Sequence, residues 1–209
     1  MNSLIPKSSK VVTVASSKGG TGKTTLSFLL AMRAAKDKQR VLAIDHDEQG
    51  TLREAFAMHE SLPFDLLSLS HKDMQKLPAV LKQYREKYDL IIIDTSPRDN
   101  ESNNVVIKES NLVLITVRPS QADYWSIENT VSKVEGRAAG FVISQAITST
   151  NLAKNFPNDL QEGYGLPVYG VLSMRASYST IFENPAQCLK TMKVEIDKLY
   201  KVVKSELQD

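Results

Sequence analysis

Residues 11–25 read Val11-Val12-Thr13-Val14-Ala15-Ser16-Ser17-Lys18-Gly19-Gly20-Thr21-Gly22-Lys23-Thr24-Thr25. A β-branched run ends in a glycine-rich turn, and the turn opens into an apolar stretch of helical character. That order is the context a phosphate-binding loop needs. Glycines let the backbone turn tightly and aim amide N–H groups at phosphate oxygens. The N-terminus of the following helix adds the positive end of its dipole. In this pattern Lys23 reaches the β- and γ-phosphates and the Thr24 hydroxyl ligates Mg²⁺. The usual glycine four residues before the Gly-Lys pair is replaced by Ser17, and Lys18 is an additional lysine.

Outward from this loop, short apolar runs alternate with helical patterns. Strands are expected at Lys10–Ala15, Arg40–Asp45, Leu90–Asp94, Leu112–Val117, Gly140–Ser144 and Val168–Leu172, with a weaker one at Phe64–Leu69. Runs such as Leu90-Ile91-Ile92-Ile93 are apolar without alternation, as in parallel strands buried on both faces. Helices are expected at Lys23–Lys36, Leu77–Lys87, Tyr124–Val134 and Ala153–Glu162. The fold expected is α/β: a doubly wound, mostly parallel sheet with helices on both faces. The 209 residues suit a single domain over 1–209, closed by a long amphipathic helix at about 185–207. Leu189, Met192, Ile196, Leu199 and Val203 form its apolar stripe.

Composition excludes several alternatives. One cysteine, Cys188, allows no disulfide framework. No apolar run is long enough to span a bilayer, and the start MNSLIPKSSK has no signal-peptide core. A reducing cytoplasm is the expected compartment. The net charge of +2 forces neither a nucleic-acid nor a membrane partner. The charge is uneven, however. Residues 1–40 hold eight basic side chains and one acidic, and residues 41–104 hold seven basic and twelve acidic. A phosphate pocket followed by a metal-binding carboxylate segment explains that division.

The loop Lys18-Gly19-Gly20-Thr21-Gly22-Lys23-Thr24 resembles the deviant Walker A sequence KGGxGKT of the ParA/MinD ATPases. Two further segments fit the resemblance. Ile44-Asp45-His46-Asp47-Glu48-Gln49-Gly50 is similar to the family's DxDPQG, with Glu48 in place of proline. Ile93-Asp94-Thr95-Ser96-Pro97 is similar to the Walker B form DTPP. Val117-Arg118-Pro119-Ser120-Gln121-Ala122-Asp123 matches a proline-to-aspartate segment of the family, and Met174–Tyr178 is a weaker late match. The resemblance implies ATP and Mg²⁺ as ligands and hydrolysis of ATP. It implies nucleotide contacts from Lys18, Gly19, Gly20, Thr21, Gly22, Lys23, Thr24 and Thr25. Lys18 would reach across a homodimer to phosphates bound in the partner. Mg²⁺ takes oxygen ligands, so Asp45 and Asp94, with Thr24, are expected around it. Asp47 would orient the attacking water. His46, between two acids, is expected to be packed or solvent-facing rather than a ligand. Arg118 is open between a phosphate or partner contact and a surface role.

Only about nine residues precede the first strand, so an N-terminal DNA-binding extension of the kind larger partition ATPases carry is not expected. The length is that of small plasmid-type ParA proteins. The helix at 185–207 has lysines but no Trp or Phe on its apolar face, which argues against a membrane anchor and stable membrane insertion. The expected function is DNA partition, with an ATP dimer binding nucleoid DNA without sequence preference and a ParB-like adaptor releasing it. Arg175, Lys190, Lys193, Lys198 and Lys201 are the candidate DNA contacts. A MinD-like positioning factor acting on a membrane or protein cargo, and a metabolic ATP-dependent enzyme on the same fold, stay open as alternatives.

Overall fold

A computed structural model describes residues 9–97 and 101–208. Seven strands form one sheet in the order β3-β2-β4-β1-β5-β6-β7, and every neighbouring pair is parallel. The strands are β1 (Lys10–Ala15), β2 (Val41–Asp45), β3 (Asp65–Ser68), β4 (Leu90–Asp94), β5 (Leu112–Val117), β6 (Ala139–Ala146) and β7 (Val168–Ser173). β2, β4 and β5 are buried along their whole length, whereas the edge strand β3 is half-exposed. The unbroken apolar runs belong to the strands covered on both faces.

Successive residues of a strand point to opposite faces, so each strand feeds two cores. Val12, Val14, Ala43, Ile92, Leu114 and Val142 pack on one face with α1 (Lys23–Lys36), α8 (Pro185–Thr191) and α9 (Lys193–Glu206). On the other face Val11, Ile44, Ile91 and Ile93 meet Leu77 and Leu81 of α3 (Leu77–Tyr84) and Val106 of α4 (Glu101–Glu109). Further along that face Val113, Ile115, Phe141 and Ile143 meet Ile127 and Val134, which flank α6 (Glu128–Lys133), and Phe156 and Leu160 of α7 (Asn151–Tyr164). This is the doubly wound α/β architecture. α1 spans Lys23–Lys36, as its apolar pattern predicts.

Two expected helices are broken. The stretch at 124–134 is α5 (Gln121–Ser126) followed by α6, with Ile127 between them. The Ser126 carbonyl accepts the Ser17 hydroxyl, and Thr130 N–H bonds Ile127 O at 2.9 Å, so the helical ladder is interrupted there. The long closing helix is α8 and α9, divided at Met192 (φ −100°, ψ 8°). Met192 is buried in the core, and bonds from Met192 N to Cys188 O and from Ile196 N to Met192 O carry the chain through the bend. The bend lets both helices lay their apolar stripe on the same core. α2 (Thr51–Ala57) and α4 are additions to the helices expected from the sequence.

Candidate nucleotide site

Residues 16–22 lie between the end of β1 and the first turn of α1, at the carboxyl edge of the parallel strands. In open α/β sheets that edge is where ligands bind. Gly20 (φ +72°) and Gly22 (φ +84°) adopt left-handed backbone that glycine takes at no steric cost. Gly22 is the N-cap of α1 and offers no side-chain cap, and the first turn carries no acidic residue. The first amides of a 14-residue helix therefore face the loop's concavity without an internal acceptor from the cap.

Lys23 is buried, and its Nζ donates to Lys18 O at 3.1 Å. Burial pulls its pKa down from the usual value, and the carboxylates of Asp94 and Asp47 pull it back. Asp45 and Asp94 are register partners on β2 and β4, so their carboxyl groups arrive side by side at the strand ends. Both are buried. Asp45 accepts backbone amides from Asp47 at 3.0 Å and Arg53 at 2.9 Å, while burial raises its pKa. Burial raises Asp94 further, to about 7, with the Thr24 hydroxyl lowering it and the Asp45 charge adding to the rise. Asp94 Oδ1 accepts Ser27 Oγ at 3.1 Å, and its Oδ2 is buried with no hydrogen-bond partner.

That buried carboxylate oxygen fits a divalent cation. Mg²⁺ is held by one or two carboxylates together with substrate phosphates and water, and no group of three or more His, Cys, Asp or Glu side chains placed to hold a metal is present among the described residues. Thr24, Asp45 and Asp94 would hold the ion. Asp47 stands half-exposed at the mouth of this group, its Oδ1 accepting Gln49 N at 3.1 Å.

Lys18 behaves differently from Lys23. Its Nζ is on Asp123, the buried carboxylate of α5, and not in the loop. Asp123 also takes Arg118 Nε at 2.8 Å and a second guanidinium nitrogen at 3.1 Å. Burial alone would raise the Asp123 carboxyl, but the bonds from Arg118 and Lys18 outweigh it and hold the carboxyl at about 2. Arg118 thus pairs inside the chain, beside Gly20.

His46 is packed. It is buried, with Nε2 at 2.9 Å from Ser102 Oγ and Nδ1 at 3.2 Å from Leu69 O, and burial lowers its pKa. Three partners of the loop escape the sequence reading. Thr116 meets Thr21 Oγ1 at 2.9 Å, Ser144 Oγ donates to Thr21 O at 2.6 Å, and Gln145 Nε2 donates to Gly20 O at 2.7 Å. All three come from strands β5 and β6, remote in sequence, and no spacing rule points to them.

Beside the loop lies an open cleft of about 390 Å³, lined by Gly22, Thr25, Gln145, Met174, Arg175 and Tyr178, among others. Arg175 thus lies beside the loop, whereas the four lysines named with it as candidate DNA contacts lie on α8 and α9. β7 runs parallel to β6, so the segment after β7 returns to the same edge as the loop. There Arg175 pairs with Glu195 of α9 at 2.7 Å. Lys190, Lys193, Lys198 and Lys201 are exposed on α8 and α9. No helix among the described residues is long and apolar enough to cross a membrane.

A family profile described as the CobQ/CobB/MinD/ParA nucleotide binding domain matches residues 12–185. The chain is 33% identical over 128 residues to the maintenance of carboxysome distribution protein A of Gloeobacter kilaueensis, covering 59% of this chain and 56% of that one. It is 30% identical over 113 residues to the protein ParA of Rhizobium radiobacter, covering 54% and 50%. The chain spans about half the length of these curated relatives. A structure of a Cyanothece McdA variant in complex with ATP superposes with a TM-score of 0.80 at 19% identity, over 97% of each chain. With the glycine-rich loop, the paired strand-end aspartates and this match over most of its length, the chain belongs to the CobQ/CobB/MinD/ParA family of nucleotide-binding domains.

Proposed function

We propose that this chain hydrolyses ATP, dimerises when ATP is bound, and as a dimer partitions cargo by binding DNA without sequence preference. The observation that carries the reading is the position of Lys18. Its ammonium group rests on Asp123 at the rim of the loop, while Lys23 occupies the loop itself. Held on Asp123 and not in its own loop, Lys18 would turn to a phosphate in a facing copy when two copies close. Two facing copies would each bring a second lysine to the other's triphosphate, a use only the closed dimer has for it.

The other roles follow from placement. The loop amides and Lys23 would bind and orient the β- and γ-phosphates. Thr24, Asp45 and Asp94 would hold Mg²⁺, which when bound neutralises charge on the phosphoryl oxygens. Asp47, half-exposed beside them, would orient the attacking water. Phosphoryl transfer asks little covalent work of the protein, so positioning of this kind is most of what catalysis needs.

The DNA surface is the set of exposed lysines Lys190, Lys193, Lys198 and Lys201. A monomer of charge +2 has a weak field. Non-specific affinity climbs steeply with the number of phosphates neutralised, so a dimer that doubles that number switches binding on. Hydrolysis, stimulated by a ParB-like adaptor, would return the monomer and release the DNA. A nucleoid-associated cytoplasmic location follows from the same scheme. Co-sedimentation tests it against the MinD-like alternative. With MgATP the protein is expected to pellet with long duplex DNA at low salt and not with anionic liposomes. Pelleting with liposomes alone would favour the positioning factor, and turnover only in the presence of a small carboxylate substrate would favour a metabolic enzyme.

A further inference from the structure

Gln145 is one of two non-glycine residues with positive φ among the described residues, at +52°. It lies where the β6–β7 register shifts between Ile143 and Ala146, the signature of a β-bulge. Left-handed backbone at such a position favours glycine, and a side chain kept there costs stability. Its neighbour Ser144 and Gln145 itself hold consecutive carbonyls of the phosphate loop: Ser144 Oγ donates to Thr21 O at 2.6 Å and Gln145 Nε2 to Gly20 O at 2.7 Å.

Those two carbonyls belong to the peptide units whose amides are Thr21 N–H and Gly22 N–H. In a trans peptide the N–H points opposite the C=O. Fixing each carbonyl on the β6 side therefore fixes each amide on the other. Gly20 and Gly22 flank these units, and glycine admits both signs of φ, so without an outside clamp the units can flip. The clamp supplies from β6 the rigidity that the glycines remove.

We infer that Gln145 is a positioning residue for nucleotide binding, its side-chain amide holding the Gly20–Thr21 peptide with the Thr21 N–H turned toward the phosphates. This rests on residues 16–25 being the phosphate loop of the site proposed above. Because Gln145 also lines the cleft beside Gly22 and Thr25, contact with the nucleotide base is the competing role.

The test uses Gln145→Gly, titrated with MgATP and separately with inorganic tripolyphosphate, alongside thermal melts. The melting temperature is expected to hold or rise, since glycine relieves the left-handed backbone. Affinity for both ligands is expected to fall by about tenfold, the scale of one hydrogen bond removed. Gln145→Asn, which tolerates the same backbone but is one methylene short, should behave alike. Unchanged affinity overturns the inference, and so does a loss seen with MgATP but not with tripolyphosphate, which would make Gln145 a base contact. Affinity and melting temperature falling together in both variants also overturns it, because the role would then be structural. Lys23→Ala run in parallel separates the two readings. If it keeps full MgATP affinity, the phosphate-loop reading fails. If it loses affinity while Gln145→Gly does not, only the clamp fails.

Discussion

Asp123 holds two cations on one buried carboxylate, Lys18 on one oxygen and Arg118 across both. The folded carboxyl gives up its proton far more readily than an unfolded one, with a pKa of about 2 against an ordinary 3.8. Its contribution to stability, about 2 kcal/mol by linkage, is therefore complete above pH 4 or so and lost as pH falls toward 2. We predict that Asp123→Asn destabilises the fold near neutral pH and that its difference from wild type shrinks as thermal melts are taken from pH 4 to pH 2. A constant difference across that window would mean that the ion pairs are not what Asp123 contributes. At this scale the sequence is most informative where chemistry repeats with spacing. Lys18, Lys23, Thr24, Asp45 and Asp94 are named by their motifs, and the structure gathers them at one sheet edge. Gln145 is invisible in the sequence because its role depends on a positive φ and on a carbonyl 125 positions away in the chain.

α8 and α9 show what an element adds. Their buried stripe is Cys188, Met192, Ile196, Leu199, Tyr200 and Val203, and the lysines Lys190, Lys193, Lys198 and Lys201 are exposed. Removing exposed charges from a helix held by its apolar stripe should leave the fold intact. Changing all four to glutamine is expected to leave MgATP affinity unchanged and to weaken duplex binding, lowering the salt slope by about 0.9 for each DNA phosphate that is no longer neutralised. An unaltered slope, with ATP binding intact, would place the DNA surface elsewhere. Elements are legible where a local period decides them, as with α1, whose span matches its apolar pattern. They are not legible where a distant group decides them. The break before α6 follows from the Ser17 hydroxyl taking the Ser126 carbonyl, a bond between residues 109 apart. At Met192 the chain bends between α8 and α9 although the apolar stripe runs on through it into the core.

The molecule as a whole presents its chemistry at one edge of the sheet: the phosphate loop, the paired aspartates, the Lys18–Asp123 pair and the cleft with Arg175. The order of the strands is not readable from the sequence, because alternating strands and helices fix the class of fold but not which strand lies beside which. β4 enters between β2 and β1, and that insertion sets Asp94 beside Asp45. In the proposed scheme ATP closes two copies of the chain through Lys18. Light scattering coupled to a sizing column, with Mg²⁺ and a slowly hydrolysed ATP analogue, measures it directly. Wild type should run as a dimer of twice the 23.2 kDa chain, and Lys18→Ala should stay monomeric while keeping most of its affinity for the nucleotide. A Lys18→Ala protein that dimerises as wild type does would contradict the account.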